Sequence, residues 1–202
     1  MPLCEGESVE LSERDALIIV DVQNDFCPGG ALPVLTGMDV ASTMSMLANT
    51  FRGRGARVYA TQDWHPAGHS SFKEQGGPWP AHCVQDTGGA DFHPAMVLPA
   101  GVTIIRKGTS PGADAYSGFI DSDLDTQLRD AGVTRVFVGG LATDYCVLHT
   151  VLDAIGRGFE TTVVSDAIGA VDVEPGDGER AVARMAEAGA HFAGSMELLA
   201  PA

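Results

Sequence analysis

Three side chains that could do chemistry together follow apolar, β-branched runs of this sequence. Asp21 lies next to the end of the run 16–22, Lys107 follows the run 102–106, and Cys146 comes shortly after the run 135–138. A carboxylate in an apolar run needs a partner, because its desolvation is costly. The chain has ten arginines and only two lysines, so a lysine here suggests a compact ammonium between a carboxylate and a thiolate. The set predicts a cysteine nucleophile with an acid–base partner.

Cys146 is the candidate nucleophile because of its expected place at the start of a helix. Thr143 resembles an N-cap, which would put Cys146 in the first helical turn. Backbone N–H groups and the helix dipole there favour a thiolate and can bind an oxyanion. The other cysteines do not open a helix after a strand. The sequence contains no CxxC pair, and nothing in it indicates a disulfide framework. The alternatives are an inert core cysteine for Cys146, a carboxylate that caps a neighbouring loop for Asp21, and a lysine on a solvated loop for Lys107.

Asp63-Trp64-His65 is a candidate metal-binding motif. Residues two apart in extended backbone face the same side, so this carboxylate and imidazole could meet one ion. His82 or His69 could supply a third ligand. Nitrogen and oxygen ligands without thiolate suit zinc, manganese or iron. An isolated Asp-x-His can also be an ordinary polar turn, and that alternative stays open on the motif alone.

Alternating strand and helix patterns would position these residues. Apolar runs with few charges predict strands at 16–22, 57–61, 102–106, 135–138, 161–165 and 190–193. Amphipathic patterns between them predict helices at 38–51, 123–131, 144–155 and 179–188. The order predicts an α/β fold, with a single-domain, doubly wound, mainly parallel six-stranded sheet and helices on both faces. Ligands bind such sheets beyond the carboxyl ends of the strands.

Residues 1–13 are expected to be an acidic, loosely held lead-in, and residues 14–202 the domain. Within the domain, the connection from about 62 to 101 lacks a clear helix and contains two tryptophans, five prolines and four of the six histidines. A long connection of this kind is usually functional or disordered, and its aromatic content argues against disorder. We expect it to bind metal and substrate.

Composition narrows the classes of partner and location. The net charge of −15 disfavours nucleic acid and anionic membranes as partners. The chain has no apolar run long enough to span a membrane and no basic, apolar start typical of a secretory signal. These features predict a cytoplasmic protein whose partner is a small molecule. They do not distinguish a monomer from a homo-oligomer.

With these motifs established, residues of about 16–192 resemble the nicotinamidase (pyrazinamidase) family of isochorismatase-like cysteine hydrolases. Six segments carry the resemblance in order: Ile-Val-Asp-Val-Gln-Asn-Asp-Phe (19–26), Gln-Asp-Trp-His-Pro (62–66), Trp-Pro-Ala-His-Cys-Val (79–84), Arg-Lys-Gly (106–108), Ala-Tyr-Ser-Gly-Phe (115–119) and Gly-Leu-Ala-Thr-Asp-Tyr-Cys-Val (140–147). The segment between Lys107 and Tyr116 varies among relatives, so it leaves the outer wall of the pocket undefined.

The resemblance implies a role for each group of candidate residues. It implies a catalytic triad, one divalent metal ion, an oxyanion hole beside a cis peptide bond, and aromatic residues that stack on the substrate ring. The triad falls on Asp21, Lys107 and Cys146, and the metal ligands on Asp63, His65 and His82. The oxyanion hole falls on Ala142 and Cys146, with the cis bond at Leu141–Ala142. The ring-stacking aromatics fall on Phe26, Trp79 and Tyr116. His69 matches a further ligand position that differs between relatives.

The implied activity is hydrolysis of nicotinamide to nicotinate and ammonia through a cysteine thioester, a step of NAD salvage. Zinc is the first candidate for an ion that orients the ring, with manganese and iron as alternatives, and pyrazinamide is a second candidate substrate. Other amidases of the superfamily share the triad but typically lack the Asp-x-His metal loop. A non-catalytic binding protein on the same scaffold would be expected to have lost a member of the triad.

Overall fold

Six parallel strands form one sheet in a computed structural model that describes residues 9–200. The strand order is β3-β2-β1-β4-β5-β6, so the order along the chain reverses between β1 and β4. The strands are β1 (Asp15–Val20), β2 (Arg57–Asp63), β3 (Thr103–Lys107), β4 (Arg135–Leu141), β5 (Glu160–Gly169) and β6 (His191–Ala193). The predicted doubly wound α/β sheet is confirmed, and every pairing in it is parallel.

Helices cover both faces of the sheet, because the central strands are buried on both sides. In β1, Leu17 and Ile19 pack into one core cluster, whereas Ile18 and Val20 pack into another. The first cluster includes α1 and α5, and the second includes α2, α3 and α4. The helices are α1 (Gly37–Gly53), α2 (Leu124–Asp130), α3 (Leu148–Gly156), α4 (Asp177–Glu187) and α5 (Ser195–Leu199).

The long connection has little regular structure, as expected. Two short 3₁₀ turns, Lys73–Gln75 and Gly88–Ala90, interrupt it. Its first two residues belong to β2, however, because Gln62 and Asp63 pair with Arg106 and Lys107 of β3. The last residues of two adjacent strands are therefore Asp63 and Lys107, side by side at the carboxyl edge of the sheet.

The expected N-terminal lead-in differs in part from the structure. Residues 1–8 lie outside the described part of the chain. Val9 and Leu11 pack against the core, and the carbonyl of Glu10 accepts a hydrogen bond of 2.7 Å from Arg135. Residues 9–13 are thus held against the domain. Among residues 9–200, no helix combines the length and the apolar character needed to cross a membrane.

Candidate active site

A cavity opens at the carboxyl edge of the sheet, where the strand order reverses. Parallel α/β sheets bind ligands at this position. Residues that end or follow each of the strands β1 to β5 line the cavity, including two of the long connection after β2. The lining residues are Phe26, Leu32, Asp63, Trp79, His82, Tyr116, Ala142, Tyr145, Cys146 and Val171.

Lys107 lies at the centre of the polar groups below this cavity. Its Nζ atom is 2.8 Å from Asp21, 2.5 Å from Asp63 and 3.5 Å from the sulfur of Cys146, and it donates to the carbonyl of Ala115 at 3.0 Å. Burial opposes the ammonium charge, but the two carboxylates and the sulfur outweigh that cost and raise the pKa of Lys107 well above its usual value. Lys107 is therefore a fixed positive charge between the three groups.

Asp21 has one oxygen held in place and one left free of hydrogen bonds. Thr61 donates its hydroxyl to Asp21 Oδ1 at 2.6 Å. Oδ2 faces Lys107, yet within residues 9–200 it accepts no well-aligned hydrogen bond. Burial raises the pKa of Asp21, and attraction to Lys107 reduces this effect without cancelling it. A buried carboxylate with a raised pKa, one oxygen of which is paired only with Lys107, is suited to take up and return a proton.

Cys146 lies close to Asp21, with its Sγ within 4.8 Å of a carboxylate oxygen. Burial raises the pKa of the Cys146 thiol well above its usual value, and Lys107 offsets this only in part. The expectation that the helix start would favour a thiolate is therefore not met. The resting group is a thiol, and it needs a base to become nucleophilic.

The backbone around Cys146 also differs from the expected helix start. Residues Thr143–Val147 form a π-helical turn before α3, and the N-cap of this turn is Ala142, not the expected Thr143. The wider turn carries Cys146 into the cavity lining beside Ala142. The peptide bond between Leu141 and Ala142 is cis, as the resemblance implies. Ala142 and Cys146, the two expected oxyanion-hole residues, thus lie together at the end of β4.

Asp63, His65 and His82 each present a free ligand atom to one point. Their ligand atoms lie within 4.8 Å of one another. His65 donates Nδ1–H to the carbonyl of Gly108 at 2.9 Å, and His82 donates Nδ1–H to that of Pro80 at 2.8 Å. Both Nε2 atoms therefore face the cluster, in the tautomer that metal-bound histidines usually adopt, and His65 Nε2 lies 3.6 Å from Asp63 Oδ2. Burial lowers the pKa of His65, but Asp63 outweighs this and raises it. Burial lowers the pKa of His82, which favours the neutral imidazole.

The three ligands border a small cavity of their own, distinct from the first, which adjoins all three side chains. Asp63 uses Oδ1 for Lys107, which leaves Oδ2 for a metal. Gly108 has φ of +62°, and a Cβ there would meet the His65 ring at 2.4 Å, so only glycine permits this close approach. The residues present fit a divalent ion with nitrogen and oxygen ligands.

His69 is buried beside His65, but both of its ring nitrogens are engaged elsewhere. The two rings stack with centroids 4.1 Å apart. His69 Nε2 lies 3.2 Å from the carbonyl of Ala113, and Nδ1 lies 2.7 Å from the hydroxyl of Ser71. A carbonyl can only accept, so Nε2 carries the proton and Nδ1 accepts from Ser71. In this arrangement His69 supports His65 by stacking and is not one of the three clustered ligands.

The three expected ring-stacking aromatics all line the cavity, together with a fourth that the sequence analysis missed. Trp79 donates its indole N–H to the hydroxyl of Tyr116 at 3.1 Å. Tyr145 packs edge-on against Trp79 with ring centroids 5.0 Å apart, and lies 5.7 Å from Tyr116. Phe26 contacts His82 on the metal side, at a centroid distance of 5.5 Å. Tyr145 directly precedes Cys146, which was the one signal available in the sequence.

Comparison with known proteins identifies close relatives of this chain. The family described as isochorismatase domain matches residues 15–197. A nicotinamidase of Escherichia coli (strain K12) is 41% identical over 196 residues, covering 87% of this chain and 92% of that protein. The structure of the pyrazinamidase of Pyrococcus horikoshii in complex with zinc has a TM-score of 0.86 at 46% identity, covering 90% and 99% of the two chains. That of PnC1 from L. infantum in complex with nicotinate has a TM-score of 0.86 at 36% identity, covering 95% and 98%.

Proposed function

The chain belongs to the isochorismatase family, and we propose a mechanism by which its site residues act. Its activity is that of a nicotinamidase, which hydrolyses nicotinamide to nicotinate and ammonia. The observation that carries the mechanism is the single ammonium of Lys107, which contacts both Asp21 and Cys146 below a cavity with aromatic walls. A thiol, a base and a fixed cation in contact are the elements of covalent amide hydrolysis.

The first half of the reaction forms a thioester. Asp21 takes the proton of the Cys146 thiol, and the thiolate attacks the carbonyl carbon of the amide. The oxygen becomes an oxyanion, which the N–H groups of Ala142 and Cys146 stabilise. Asp21 then gives its proton to the amide nitrogen, the C–N bond breaks, and ammonia leaves. Lys107 stabilises the carboxylate and the thiolate by its charge.

The second half returns the enzyme to its starting state. Asp21 removes a proton from a water molecule, which attacks the thioester carbonyl. The C–S bond then breaks, the sulfur of Cys146 recovers a proton from Asp21, and nicotinate leaves as the acid. The raised pKa of Asp21 suits both directions of transfer, since a group that is strongly acidic would not reprotonate the leaving groups.

Asp63, His65 and His82 are proposed to hold one divalent ion, with zinc as the first candidate. A relative's structure contains zinc, and the two imidazoles and the Asp63 oxygen that does not contact Lys107 are ligands that suit it. When bound, the ion supplies a Lewis acid for the pyridine nitrogen and so fixes the ring. We also propose pyrazinamide as a second substrate, which a relative named nicotinamidase/pyrazinamidase supports. The proposed location is the cytoplasm.

Nicotinamide is expected to be a far better substrate than benzamide. The two amides differ only at the ring nitrogen, so their comparison isolates its recognition. A site built to bind that atom should lower kcat/KM for benzamide by about 10²-fold or more. Ammonia release from both amides, measured at several concentrations, tests this. Equal kcat/KM values would mean that the ring nitrogen is not bound, and would favour an amidase with another carboxamide substrate.

Removal of divalent metal is expected to lower kcat/KM for nicotinamide. Without an ion, the substrate loses its orientation over Cys146, while the triad remains intact. The activity should return on adding zinc, manganese or iron, and metal analysis should find about one ion per chain. Full activity in strong chelator, with no bound metal detected, would contradict the assignment of Asp63, His65 and His82.

A further inference from the structure

Gln23 makes three buried hydrogen bonds that the proposed mechanism does not use. Its side chain is fully buried. Its Oε1 accepts from the N–H of Asp63 at 2.8 Å, and its Nε2 donates to the carbonyls of Asp63 and Ala90, both at 2.8 Å. One side-chain amide therefore binds both backbone groups of Asp63.

The geometry explains why Asp63 needs such a partner. The pairing of β1 with β2 ends at Ile19 and Ala60, and the chain leaves the sheet at Asp21, where φ is +48°. Continued pairing would bring Val22 opposite Asp63. Because β1 has turned away, the N–H and C=O of Asp63 would otherwise lack backbone partners on that side. Buried backbone groups without partners are costly.

The other edge of β2 is already paired at this level. Asp63 is in register with Lys107, and the N–H of Trp64 donates to the carbonyl of Lys107 at 2.9 Å. The Gln23 carboxamide has the donor and acceptor of a peptide group, so it replaces the missing β1 backbone as the partner of Asp63 on that side of β2. The end of β2 is thus fixed on both sides at the residue whose carboxylate must reach Lys107 and a metal ion at once.

We propose that Gln23 is a positioning residue for the metal site, holding the backbone of Asp63 so that its Oδ2 is presented to the ion while Oδ1 stays on Lys107. The inference rests on the proposed role of Asp63 as a ligand. Groups that orient metal ligands in this way typically change metal affinity by about 10–100-fold when they are lost. Gln23 is neither a lining residue of the substrate cavity nor a member of the Asp63, His65 and His82 cluster, so it acts only through Asp63.

Gln62 offers a matched control. It is also a buried glutamine whose Nε2 donates to the carbonyl of Ala90, at 2.9 Å, but its side-chain amide does not bond to Asp63. Its Oε1 accepts instead from Arg106 at 3.2 Å. Gln23→Met and Gln62→Met both remove a bond to Ala90 while keeping side-chain length. Only the first removes the two bonds to Asp63.

The test measures zinc binding to metal-free protein by competition with a chromophoric chelator. Gln23→Met should weaken zinc affinity by about 10–100-fold, and Gln62→Met by less than about threefold. The melting temperature with and without zinc gives a second measure, since a ligand that binds only the folded state raises it. The rise should shrink for Gln23→Met and stay near that of the wild type for Gln62→Met. If Gln23→Met does not fold, Gln23→Glu, which keeps the acceptor but not the donor, replaces it with the same expected direction.

Two results would overturn the proposal, and they are distinguishable. Wild-type zinc affinity in the folded Gln23 variant, or equal losses in both variants, would show that Gln23 has only a general structural role. Absence of zinc binding in the wild type would instead overturn the assignment of Asp63 as a ligand, and this inference with it. A normal nicotinamide activity that persists without any ion would accompany only the second result.

Discussion

Cys146→Ala is expected to abolish nicotinamide hydrolysis while the protein remains folded. Loss of the nucleophile in covalent hydrolases lowers kcat by on the order of 10⁴-fold or more, equivalent to about 5 kcal/mol or more of transition-state stabilisation. The substitution removes only a sulfur at the edge of the cavity, so it should cost little stability. Ammonia release under saturating nicotinamide, together with the melting temperature, measures both effects.

Cys27→Ala is the matched control for the nucleophile. Cys27 is fully buried in the core, and burial raises the pKa of its thiol to about 11. Its loss should lower stability but leave kcat close to that of the wild type. Alkylation by a small reagent should also be faster at Cys146 than at Cys27 or Cys83, because Cys146 lines the cavity and has a base beside it. Near wild-type ammonia release from Cys146→Ala would refute the nucleophile assignment.

Asp21→Asn is expected to lower kcat by about 10²–10⁴-fold, the usual contribution of a general acid–base group. The amide keeps the size of the carboxylate but cannot carry the proton from the thiol to the leaving ammonia. The resting Cys146 is a thiol, so the protein has no preformed thiolate to fall back on. Single-turnover measurement of ammonia release should locate the defect in the first half of the reaction.

Asp15→Asn provides the comparison for this second substitution. Asp15 is a buried carboxylate at the opposite end of β1, where it pairs with Arg135 at 2.7 Å. Its replacement should weaken that ion pair and lower the melting temperature without changing kcat. If Asp21→Asn kept most of its activity, the proton would have to move by another route, and Asp21 would be a structural partner of Lys107.

The sequence alone was sufficient for the order and type of most elements, because parallel strands buried on both faces appear as apolar runs. It was less informative where long-range contacts decide the structure. β5 continues to Gly169 through Asp166, a charge that interrupts the apolar pattern. In the fold, Asp166 accepts hydrogen bonds from the N–H and the hydroxyl of Ser195 at 2.7 and 2.6 Å. Ser195 is also the first residue of α5, a helix that the sequence patterns did not predict.

The same limit applies to the site. The meeting of Asp21, Lys107 and Cys146 was predictable, because each lies at or after the end of an apolar run that predicts a strand. The state of the Cys146 thiol was not predictable, because it depends on burial and on the balance of charges from Lys107 and Asp21. Gln23 was part of a recognised motif, but its bonds to Asp63 join residues 40 apart and leave no local pattern.

The origin of the site in four different strands has a consequence for folding. Asp21, Asp63, Lys107 and Cys146 follow or end β1, β2, β3 and β4, and the contacts that join them to Lys107 connect residues 39 to 86 positions apart. Closing such distant contacts is entropically expensive and comes late in folding. A partly formed sheet would bury the Lys107 ammonium without its carboxylates, which the low dielectric of the interior penalises. The catalytic cluster therefore assembles only when β1, β2, β3 and β4 are all in place, so a fragment that lacks one of these strands should not hydrolyse the amide.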